Sequence, residues 1–470
     1  MRQCDLIVAG AGPAGASAAI AAAEAGLGVV LVDEAPAAGG QVWRAPWPGL
    51  ALSRADADAR AGDSLRAALA ASSVEAHFSA RIWSVTQEEN GFRLDASSAG
   101  GDLALVAPRL LAATGATERV IPFPGWTLPG VFGLAAATVM LKAQGIVPGR
   151  RIVVAGCGPR LAAVAAKVLA AGGEVVAVVD RAPRRAWLAA ARHLATRPRL
   201  LAQGLGWALR IAGRSIPVLF GHTVRTAEGD GVLEAVTVGP LGNGRTRRFE
   251  ADALCVGDGL VPSAEIPRLL RAPLHFDRLR GGWVPQLDED GRTGIPGLLA
   301  AGDGAGLRGA LPAVHAGRIA GLAAARDAGR LDAAGFAAAT APDRAALRAL
   351  APFADAVARL MQLDPAAVAA IAPDTVVCRC ENVTRAEIDA AFEDGARDVN
   401  QMKHFTRCGM GPCQGRFCGD VAAEILAARV GSREAVGCWT ARPPLRPVPL
   451  ADLLGDFDYA DIPIPAPAPL

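Results

Sequence analysis

The chain contains 470 residues, enough for about three domains, and its 48 Lys and Arg residues nearly balance 46 Asp and Glu residues, which leaves a formal net charge of +2. So small a charge excludes a strong electrostatic field for polyanions, and we expect no nucleic-acid partner. Aromatic residues make up 5% of the chain, which has one Tyr and six His, so side chains suited to acid–base catalysis are scarce. The catalytic residues stay unknown at this stage, and we expect the chemistry to belong to a cofactor.

An uncharged stretch near the N-terminus, residues 6–23, has the hydropathy of a leader or membrane anchor. Its glycines and proline, and a second strand-like block at residues 29–32, favour a βαβ unit instead. We therefore expect no transmembrane segment and a cytoplasmic location. Any attachment to the inner membrane would be peripheral and would occur through the electron acceptor.

The first candidate unit consists of an apolar strand, the sequence GAGPAG, an Ala-rich helix and a second strand that ends in an acidic residue. In a GxGxxG turn, the first glycine permits a tight turn, the second lets a pyrophosphate approach the helix N-terminus, and the third allows close packing of helix and strand. The acidic residue can accept hydrogen bonds from an adenosine ribose. The candidate cofactor-binding residues are Gly10, Gly12, Pro13, Ala14, Gly15, Asp33 and Glu34.

Two later strands also end in glycine-containing turns, at Thr114-Gly115 and at Gly302-Asp303. Together with the first unit they resemble the two-dinucleotide-binding flavoproteins. This resemblance implies that the Gly302-Asp303 turn holds the ribityl and pyrophosphate of FAD, and that a helix starting near Gly309 directs its N-terminus at the flavin ring. A loop after the first unit is either a further cofactor contact or a plain turn, and its candidates are Gly40, Gln41 and Arg44.

A second βαβ unit has a defective fingerprint. Its first two glycines are Gly156 and Gly158, but Leu161 stands where the third glycine is expected and Arg160 lies beside the expected pyrophosphate path. We therefore expect weak affinity for NAD(P) and leave two interpretations open, a working nucleotide site or a retained fold that shapes an interface. Four arginines after this unit are interpreted as a solvated helix face: Arg181, Arg184, Arg185 and Arg192.

The C-terminal part is rich in cysteine, with a CxC pair, 27 intervening residues and a second pair spaced by four. Four thiolates from two loops can hold a [2Fe–2S] cluster, because each iron takes two sulfur ligands and glycines let backbone amides reach the sulfurs. A zinc site and free thiols are the alternatives. The predicted ligands are Cys378, Cys380, Cys408 and Cys413, with Cys418 either a buried helical thiol or a replacement for Cys413. Thr384 and Glu387 form a capping box that starts a helix between the two pairs.

Eight motifs carry a resemblance that covers nearly the whole chain: GAGPAG, GGQVWR, ATGA, GCGP, CVGDGLVPS, AAGDGAG, CRCENVT and TRCGMGPCQGRFCG. They resemble the α (A) subunits of multimeric flavin-dependent amine and amino-acid dehydrogenases, a group with opine oxidases, D-hydroxyproline dehydrogenase, dye-linked L-proline dehydrogenase and hydrogen cyanide synthase. Part of the sarcosine oxidase α chain is similar. The resemblance implies a β partner of D-amino-acid-oxidase type, often an FMN between the subunits, and sometimes a small ferredoxin-like γ subunit. It also carries the four predicted cysteines over as iron–sulfur ligands.

The predicted fold class is α/β, a two-dinucleotide-binding flavoprotein fold with an inserted NAD-type domain and a small helical BFD-like [2Fe–2S] domain. The predicted divisions are 1–125 with 250–335 for the FAD-type domain, 126–249 for the inserted domain, 336–372 for a helical connector, 373–440 for the iron–sulfur domain and 441–470 for a Pro-rich tail. The tail composition favours an extended polyproline II segment, which we expect to lie across a partner subunit.

The leading functional prediction is an electron-transfer subunit of a dehydrogenase that acts on the C–N bond of an amino acid, imino acid or opine, with substrate oxidation on the β partner. A second interpretation is a self-sufficient NAD(P)H-dependent reductase that uses FAD and the cluster. A third is a non-catalytic scaffold whose first nucleotide site holds ATP or NAD. The substrate is not readable from this chain, because its pocket is expected on another subunit.

Overall fold

The structure is a computed structural model that describes residues 2–50, 57–98 and 100–454. Its first sheet is parallel and is assembled from distant parts of the chain. In spatial order its strands are Leu298–Ala300, Leu110–Ala112, Leu6–Ala9, Val29–Val32 and Glu75–His77. The central strands are apolar throughout and buried, as expected for a parallel sheet covered on both faces.

Helices Pro13–Glu24 and Ala310–Asp327 pack closely against each other on one face of this sheet. Glycine makes the approach possible, because a Cβ on Gly317 would lie 2.1 Å from the carbonyl oxygen of Ala14 and one on Gly321 would lie 2.2 Å from that of Ala18. Helix Ala57–Ala70 lies beside the first of them. The two long helices therefore hold the first and last glycine turns of the sheet side by side.

The other face is covered by a four-stranded sheet, whose members in spatial order are Arg2–Gln3, Gly101–Ala107, Gly91–Ser98 and Ala80–Glu88. Phe92, Leu94 and Leu105 are fully buried between the two sheets. Leu445 from the C-terminal region joins this core, and its backbone N–H donates to the carbonyl of Trp83 at 2.6 Å. The start of the Pro-rich tail thus packs on its own chain, while residues 455–470 lie outside the described residues.

The inserted region forms a second parallel sheet, whose strands in spatial order are Val131–Gly133, Ala253–Gly257, Arg151–Gly156, Glu174–Asp180 and Val218–Phe220. Its helices are Leu134–Val139, continued as a π-helix over Met140–Gln144, then Arg160–Ala170, Arg184–Leu194 and Pro198–Ala212. A three-stranded antiparallel sheet adjoins it, made of His222–Glu228, Ala235–Pro240 and Arg247–Glu250.

Two antiparallel strands, Ala116–Glu118 and Leu260–Pro262, link the two parallel sheets. Helix Glu265–Leu269, the hairpin of Leu274–Asp277 and Gly282–Pro285, and the 3-10 turn Gly302–Ala305 follow. The prediction that Arg181 belongs to a solvated helix face is wrong. Its side chain is buried, and its Nη1 donates to Asp258 Oδ1 at 2.6 Å. The partner is distant in sequence, so the local pattern does not reveal it.

Helix Ala333–Leu360 crosses the molecule and contacts helices of both nucleotide-type units. The short helix Pro365–Ala369 precedes the cysteine-rich region. That region contains the strands Val376–Cys378 and Val383–Thr384 and the helices Arg385–Glu393, Val399–Thr406, Gly419–Val430 and Arg433–Val436. The short helix Ala451–Leu454 follows it. The capping box of Thr384 and Glu387 is confirmed at the start of helix Arg385–Glu393.

Among the residues that the structure describes, no helix is both long and apolar enough to cross a membrane.

Candidate functional site

A cleft of about 1400 Å³ runs along the carboxyl ends of the strands in both parallel sheets. This edge is where open α/β sheets bind their ligands. The predicted cofactor-binding residues that line it are Gly10, Gly12, Pro13, Ala14, Asp33, Glu34, Gly40, Gln41, Arg44, Thr114, Gly115, Gly302 and Asp303. Gly15 lies beneath them rather than on the cleft wall.

The three glycines of the first turn have different surroundings. Gly10 has a positive φ of 103°, and a Cβ there would lie 2.4 Å from the carbonyl oxygen of Ala113. Gly12 is extended and precedes helix Pro13–Glu24, and the nearest heavy atom to a Cβ on it would be 3.9 Å away. A Cβ on Gly15 would lie 1.8 Å from the carbonyl oxygen of Gly10. The turn is therefore packed from below and open to the cleft above, which suits a pyrophosphate at the helix N-terminus.

Asp33 fixes this turn to the second strand. Its carboxylate accepts hydrogen bonds from the backbone N–H groups of Ala11 and of Ala35, the latter at 2.7 Å. Burial raises the pKa of Asp33 despite these hydrogen bonds. Because each carboxylate oxygen can accept more than one hydrogen bond, Asp33 retains acceptor capacity for a ribose hydroxyl.

The loop after the first unit is joined to the glycine turn. The backbone N–H of Gly39 donates to the carbonyl of Ala11 at 2.8 Å, and a Cβ on Gly40 would lie 3.0 Å from Cα of Gly12. Arg44 Nη1 donates to Gln41 Oε1 at 2.7 Å. The loop thus forms a wall beside the pyrophosphate position.

The other two predicted turns follow neighbouring strands and contact each other. Thr114 Oγ1 donates to the carbonyl of Ser263 at 2.5 Å, and a Cβ on Gly304 would lie 3.1 Å from Thr114 Oγ1. Asp303 Oδ1 accepts hydrogen bonds from the backbone N–H groups of Arg308 and Gly309, both at 2.9 Å. Asp303 thereby fixes the loop that leads into helix Ala310–Asp327, whose N-terminus lines the cleft.

Glu118 is a cleft residue that the sequence did not indicate. It ends a linking strand, and its two carboxylate oxygens accept the N–H of Ala135 at 2.9 and 3.0 Å. Burial raises its pKa to about 7, although Arg160 and the amide of Ala135 oppose this shift. A single Glu at the end of a three-residue strand carries no motif, so only the tertiary structure reveals this position.

Three of the cysteines converge in the C-terminal region. The Sγ atoms of Cys378, Cys408 and Cys418 all lie within 4.8 Å of one another, and all three residues are buried. Hydrogen bonds from the Cys408 and Cys418 thiols, assisted by the backbone N–H groups of Gly409 and Glu381, lower the pKa of Cys378 to about 2. The hydrogen bond from the Cys408 thiol contributes most to this lowering of the Cys378 pKa. The arrangement therefore provides a thiolate with backbone donors aimed at its sulfur, a feature of metal–thiolate sites.

Two half-buried cysteines lie next to this trio. The side chains of Cys380 and Cys413 are hydrogen-bonded to each other, and burial raises the pKa of Cys380. The charge of Cys378 acts on Cys380, which places the pair and the trio in one site. Gly411 makes room for them, because a Cβ there would lie 2.3 Å from Cβ of Cys380.

Five thiols are therefore available where a [2Fe–2S] cluster needs four, and the donor set fits such a cluster. The predicted ligand set stays a prediction. The Sγ atom of Cys418 lies within 4.8 Å of those of Cys378 and Cys408, so Cys418 is also positioned to act as a ligand.

The cysteine loop contacts the wall of the cleft. Arg416 Nη1 donates to the carbonyl of Cys413 at 3.1 Å, and Arg416 Nε lies 3.3 Å from Glu265 Oε1. Glu265 lines the cleft together with Leu445. A cluster in this loop would therefore stand beside the cofactor cleft, linked to its wall by one hydrogen bond and one ion pair of Arg416.

The paired nucleotide-type units, with an open glycine turn and converging cofactor-contact turns, define the class of flavin-binding oxidoreductases. Residues 4–329 match the family described as pyridine nucleotide-disulphide oxidoreductase, and residues 372–456 match the sarcosine oxidase A3 domain. The chain is an oxidoreductase that belongs to this family and, within it, to the α (A) subunits of multimeric dehydrogenases, of which the opine oxidase member is an example.

Two relatives illustrate this membership. The A subunit of opine oxidase from Rhizobium meliloti is 36% identical over 96% of this chain and 99% of its own length. Hydrogen cyanide synthase subunit HcnB of Pseudomonas aeruginosa is 34% identical over 95% of this chain and 97% of its own length. Both are named as subunits, so these relatives belong to assemblies of more than one chain.

Solved structures show the same fold. L-proline dehydrogenase from P. horikoshii has a TM-score of 0.71 at 20% identity and matches 96% of this chain and 79% of that chain. The thioredoxin reductase of T. acidophilum has a TM-score of 0.54 at 23% identity and matches 70% of this chain and 99% of that chain. The predicted fold class and family are therefore confirmed.

Proposed function

We propose that the chain is the electron-transfer subunit of a heteromeric dehydrogenase, with FAD in the first nucleotide-type unit and a [2Fe–2S] cluster in the cysteine-rich region. The observation that carries this proposal is the contact between the cysteine loop and the cleft wall through Arg416 and Glu265. Two redox groups placed on either side of this contact would be close enough to exchange electrons within one chain.

The residues of the cleft would hold FAD in distinct ways. The open turn at Gly12 offers backbone N–H groups and a helix N-terminus to the pyrophosphate, and Asp33 accepts from the ribose. The N-terminus of helix Ala310–Asp327 also lines the cleft and adds a positive partial charge, which favours a negatively charged group there. FAD supplies the capacity to take up two electrons and pass them on one at a time.

The cysteine loop would hold the cluster beside the cleft, behind Arg416 and Glu265. Backbone N–H groups at Gly409 and Glu381 point at Cys378 and would stabilise the charge on its sulfur. A [2Fe–2S] cluster accepts and donates single electrons. The ligands that we propose are Cys378, Cys380, Cys408 and Cys413.

Substrate oxidation is proposed to take place on a β subunit of D-amino-acid-oxidase type. Further proposed members of the assembly are an FMN between the subunits and a small ferredoxin-like γ subunit. The names of the relatives support membership of a complex, because the opine oxidase chain and HcnB are each named as one subunit of an enzyme. We propose a C–N bond of an amino acid, imino acid or opine as the group oxidised, and a cytoplasmic location for the complex.

The experiment is an anaerobic visible spectrum of the purified chain, with iron and released nucleotide quantified on the same sample. Flavin bands over a broad iron–sulfur absorption, with two irons for each chain, would support the proposal. A colourless protein that releases ATP or NAD, or that contains zinc, would favour the scaffold interpretation. Bleaching of the flavin by NADH or NADPH in the isolated chain would favour the reductase interpretation.

The partner is tested separately, by co-purification with a co-expressed β chain. Deletion of residues 451–470 should weaken this co-purification while leaving the bound flavin unchanged. Full retention of the β chain by the shortened protein would contradict the proposed role of the Pro-rich tail.

A further inference from the structure

The family to which the chain belongs implies a pyridine nucleotide in the second unit, at the turn that follows strand Arg151–Gly156. In such a unit the pyrophosphate lies against the second glycine of the fingerprint, which is Gly158 here. Gly158 has a positive φ of 81° and lines the cleft, as such a glycine would.

Met361 covers this glycine. A Cβ built on Gly158 would lie 2.6 Å from Cγ of Met361 and 3.9 Å from its Cβ. The carbonyl oxygen of the same Met361 would lie 2.6 Å from a Cβ on Gly259, just beyond the neighbouring strand Ala253–Gly257. Met361 directly follows helix Ala333–Leu360, so the end of this helix lies across two adjacent strand ends.

The first unit provides an internal comparison. At its equivalent glycine, Gly12, the nearest heavy atom to a built Cβ is Cα of Gly40, at 3.9 Å. The same turn is therefore open in one unit and covered by a side chain in the other. Because a pyrophosphate must approach the glycine backbone closely, the second unit cannot bind it while Met361 holds this position.

Other groups at the same edge are also engaged within the chain. The backbone N–H of Cys157 donates to the carbonyl of Gly257 at 3.1 Å, so it is not available to a phosphate. Asp180, at the position of a ribose acceptor, accepts hydrogen bonds from the backbone N–H of Ala182 and the indole N–H of Trp187, both at 2.9 Å. Like Asp33 it keeps acceptor capacity, so the exclusion of a nucleotide rests on the cover over Gly158. Leu161, at the third glycine position, is 2% exposed and packs in the core of the unit.

A buried ion pair lies beside this edge. Arg181 and Asp258 are both buried, with Arg181 Nη1 2.6 Å from Asp258 Oδ1, and the charge of Asp364 also acts on Arg181. Asp364 lies three residues after Met361, at the start of helix Pro365–Ala369. The chain segment 361–364 is therefore bound at this edge by packing and by charge.

We infer that the second fingerprint turn is an intramolecular docking site for the end of helix Ala333–Leu360, with Met361 in the pyrophosphate position, and that this unit binds no pyridine nucleotide. Its function is then to fix the connector and the cysteine-rich region that follows it. The inference stands whichever cofactor occupies the first unit, because it concerns only the second.

Binding of NADH and NADPH to the full-length, FAD-saturated chain by equilibrium dialysis tests this inference. The variant Gly12→Asp, which places a carboxylate in the first turn, removes binding that belongs to the first unit. We expect no saturable binding to either protein, and binding that excess FAD displaces would also agree with the inference. Binding to the wild type that Gly12→Asp lacks belongs to the first unit, whereas one NADH or NADPH bound to each chain of Gly12→Asp in excess FAD would overturn the inference. If Gly12→Asp does not fold, two nucleotides released from each wild-type chain on denaturation, one of them NADH or NADPH, would overturn it instead.

Thermal unfolding tests the role of Met361 independently. We expect Met361→Leu, which keeps an apolar side chain on Gly158, to retain the wild-type midpoint, and Met361→Ala to lower it by several degrees. Leu188→Ala is the matched control, because Leu188 is 76% exposed and its truncation should leave the midpoint unchanged. Equal midpoints for Met361→Ala and the wild type would overturn the docking of Met361.

Discussion

Arg119 and Asp420 form a buried ion pair across 301 residues of sequence, with 2.6 Å between Nε and Oδ2. Arg119 follows the linking strand Ala116–Glu118, and its Nη2 also donates to the carbonyl of Gly281 at 2.8 Å. Asp420 is in the first turn of helix Gly419–Val430, two residues after Cys418. The pair therefore joins the cysteine-rich region to the link between the two nucleotide-type units.

Removal of Asp420 should strongly destabilise the chain. Asp420→Ala leaves Arg119 buried without its counter-ion, and we expect the free energy of unfolding to fall by about 3–5 kcal/mol in urea titrations. The matched control is Glu250→Ala, which breaks the pair with Arg151, because the Glu250 side chain is 69% exposed. This control should cost at most about 1 kcal/mol. Similar losses for the two variants would show that the buried pair has no special role.

Gly15 is predicted to tolerate no side chain. A Cβ there would lie 1.8 Å from the carbonyl oxygen of Gly10, so Gly15→Ala must displace the glycine turn and should abolish flavin retention on gel filtration. Gly206→Ala is the control, because Gly206 lies within helix Pro198–Ala212 with no heavy atom within 4 Å of a built Cβ. The control should be stabilised by about 0.4–1 kcal/mol. Retention of flavin by Gly15→Ala would contradict the assignment of the turn.

Local sequence patterns predicted the first unit well, because its signals act over short distances. Strands Leu6–Ala9 and Val29–Val32 and helix Pro13–Glu24 agree with the expected elements. The prediction that Arg181 is solvated was wrong, because its ion-pair partner Asp258 lies 77 residues further along the chain and local sequence does not reveal it. Met361 could not be predicted either, because an isolated methionine after a helix has no motif and its contact depends on how that helix crosses the second sheet.

The choice among five cysteines is open to a direct test. The proposed ligand set predicts that Ser substitution of Cys378, Cys380, Cys408 or Cys413 removes the iron–sulfur absorption, because a [2Fe–2S] cluster needs four sulfur ligands. Cys418→Ser is expected to retain two irons for each chain, as is Cys438→Ser, which serves as the control. If Cys418→Ser loses iron while Cys413→Ser retains it, Cys418 replaces Cys413 as the fourth ligand, a result that the close approach of the Cys418 and Cys378 sulfurs would explain.

The rate of dye reduction should depend on the presence of the iron–sulfur cluster. If electrons pass through the cysteine-rich region, Cys408→Ser or Cys413→Ser should abolish reduction of a dye acceptor by the complex with its β subunit, while substrate still bleaches the β-subunit flavin. Wild-type dye reduction by both variants would contradict the proposed electron route. Co-purification of each variant with the β subunit separates a broken route from a complex that has failed to assemble, because bleaching of the β-subunit flavin needs only substrate and that subunit.

Glu118 makes stability depend on pH. Burial raises its pKa from 4.5 to about 7, so the folded chain binds more protons than the unfolded chain between these values. Stability from this group is therefore fully present below about pH 4.5 and is lost as pH rises through about 7, with a total of up to about 3 kcal/mol. The side chain in Glu118→Gln cannot ionise. The free energy of unfolding of this variant in urea, minus that of the wild type, should therefore increase as the pH rises from 4.5 to 7. A constant difference between the two proteins from pH 4.5 to 7 would show that the Glu118 carboxyl titrates normally in the folded chain.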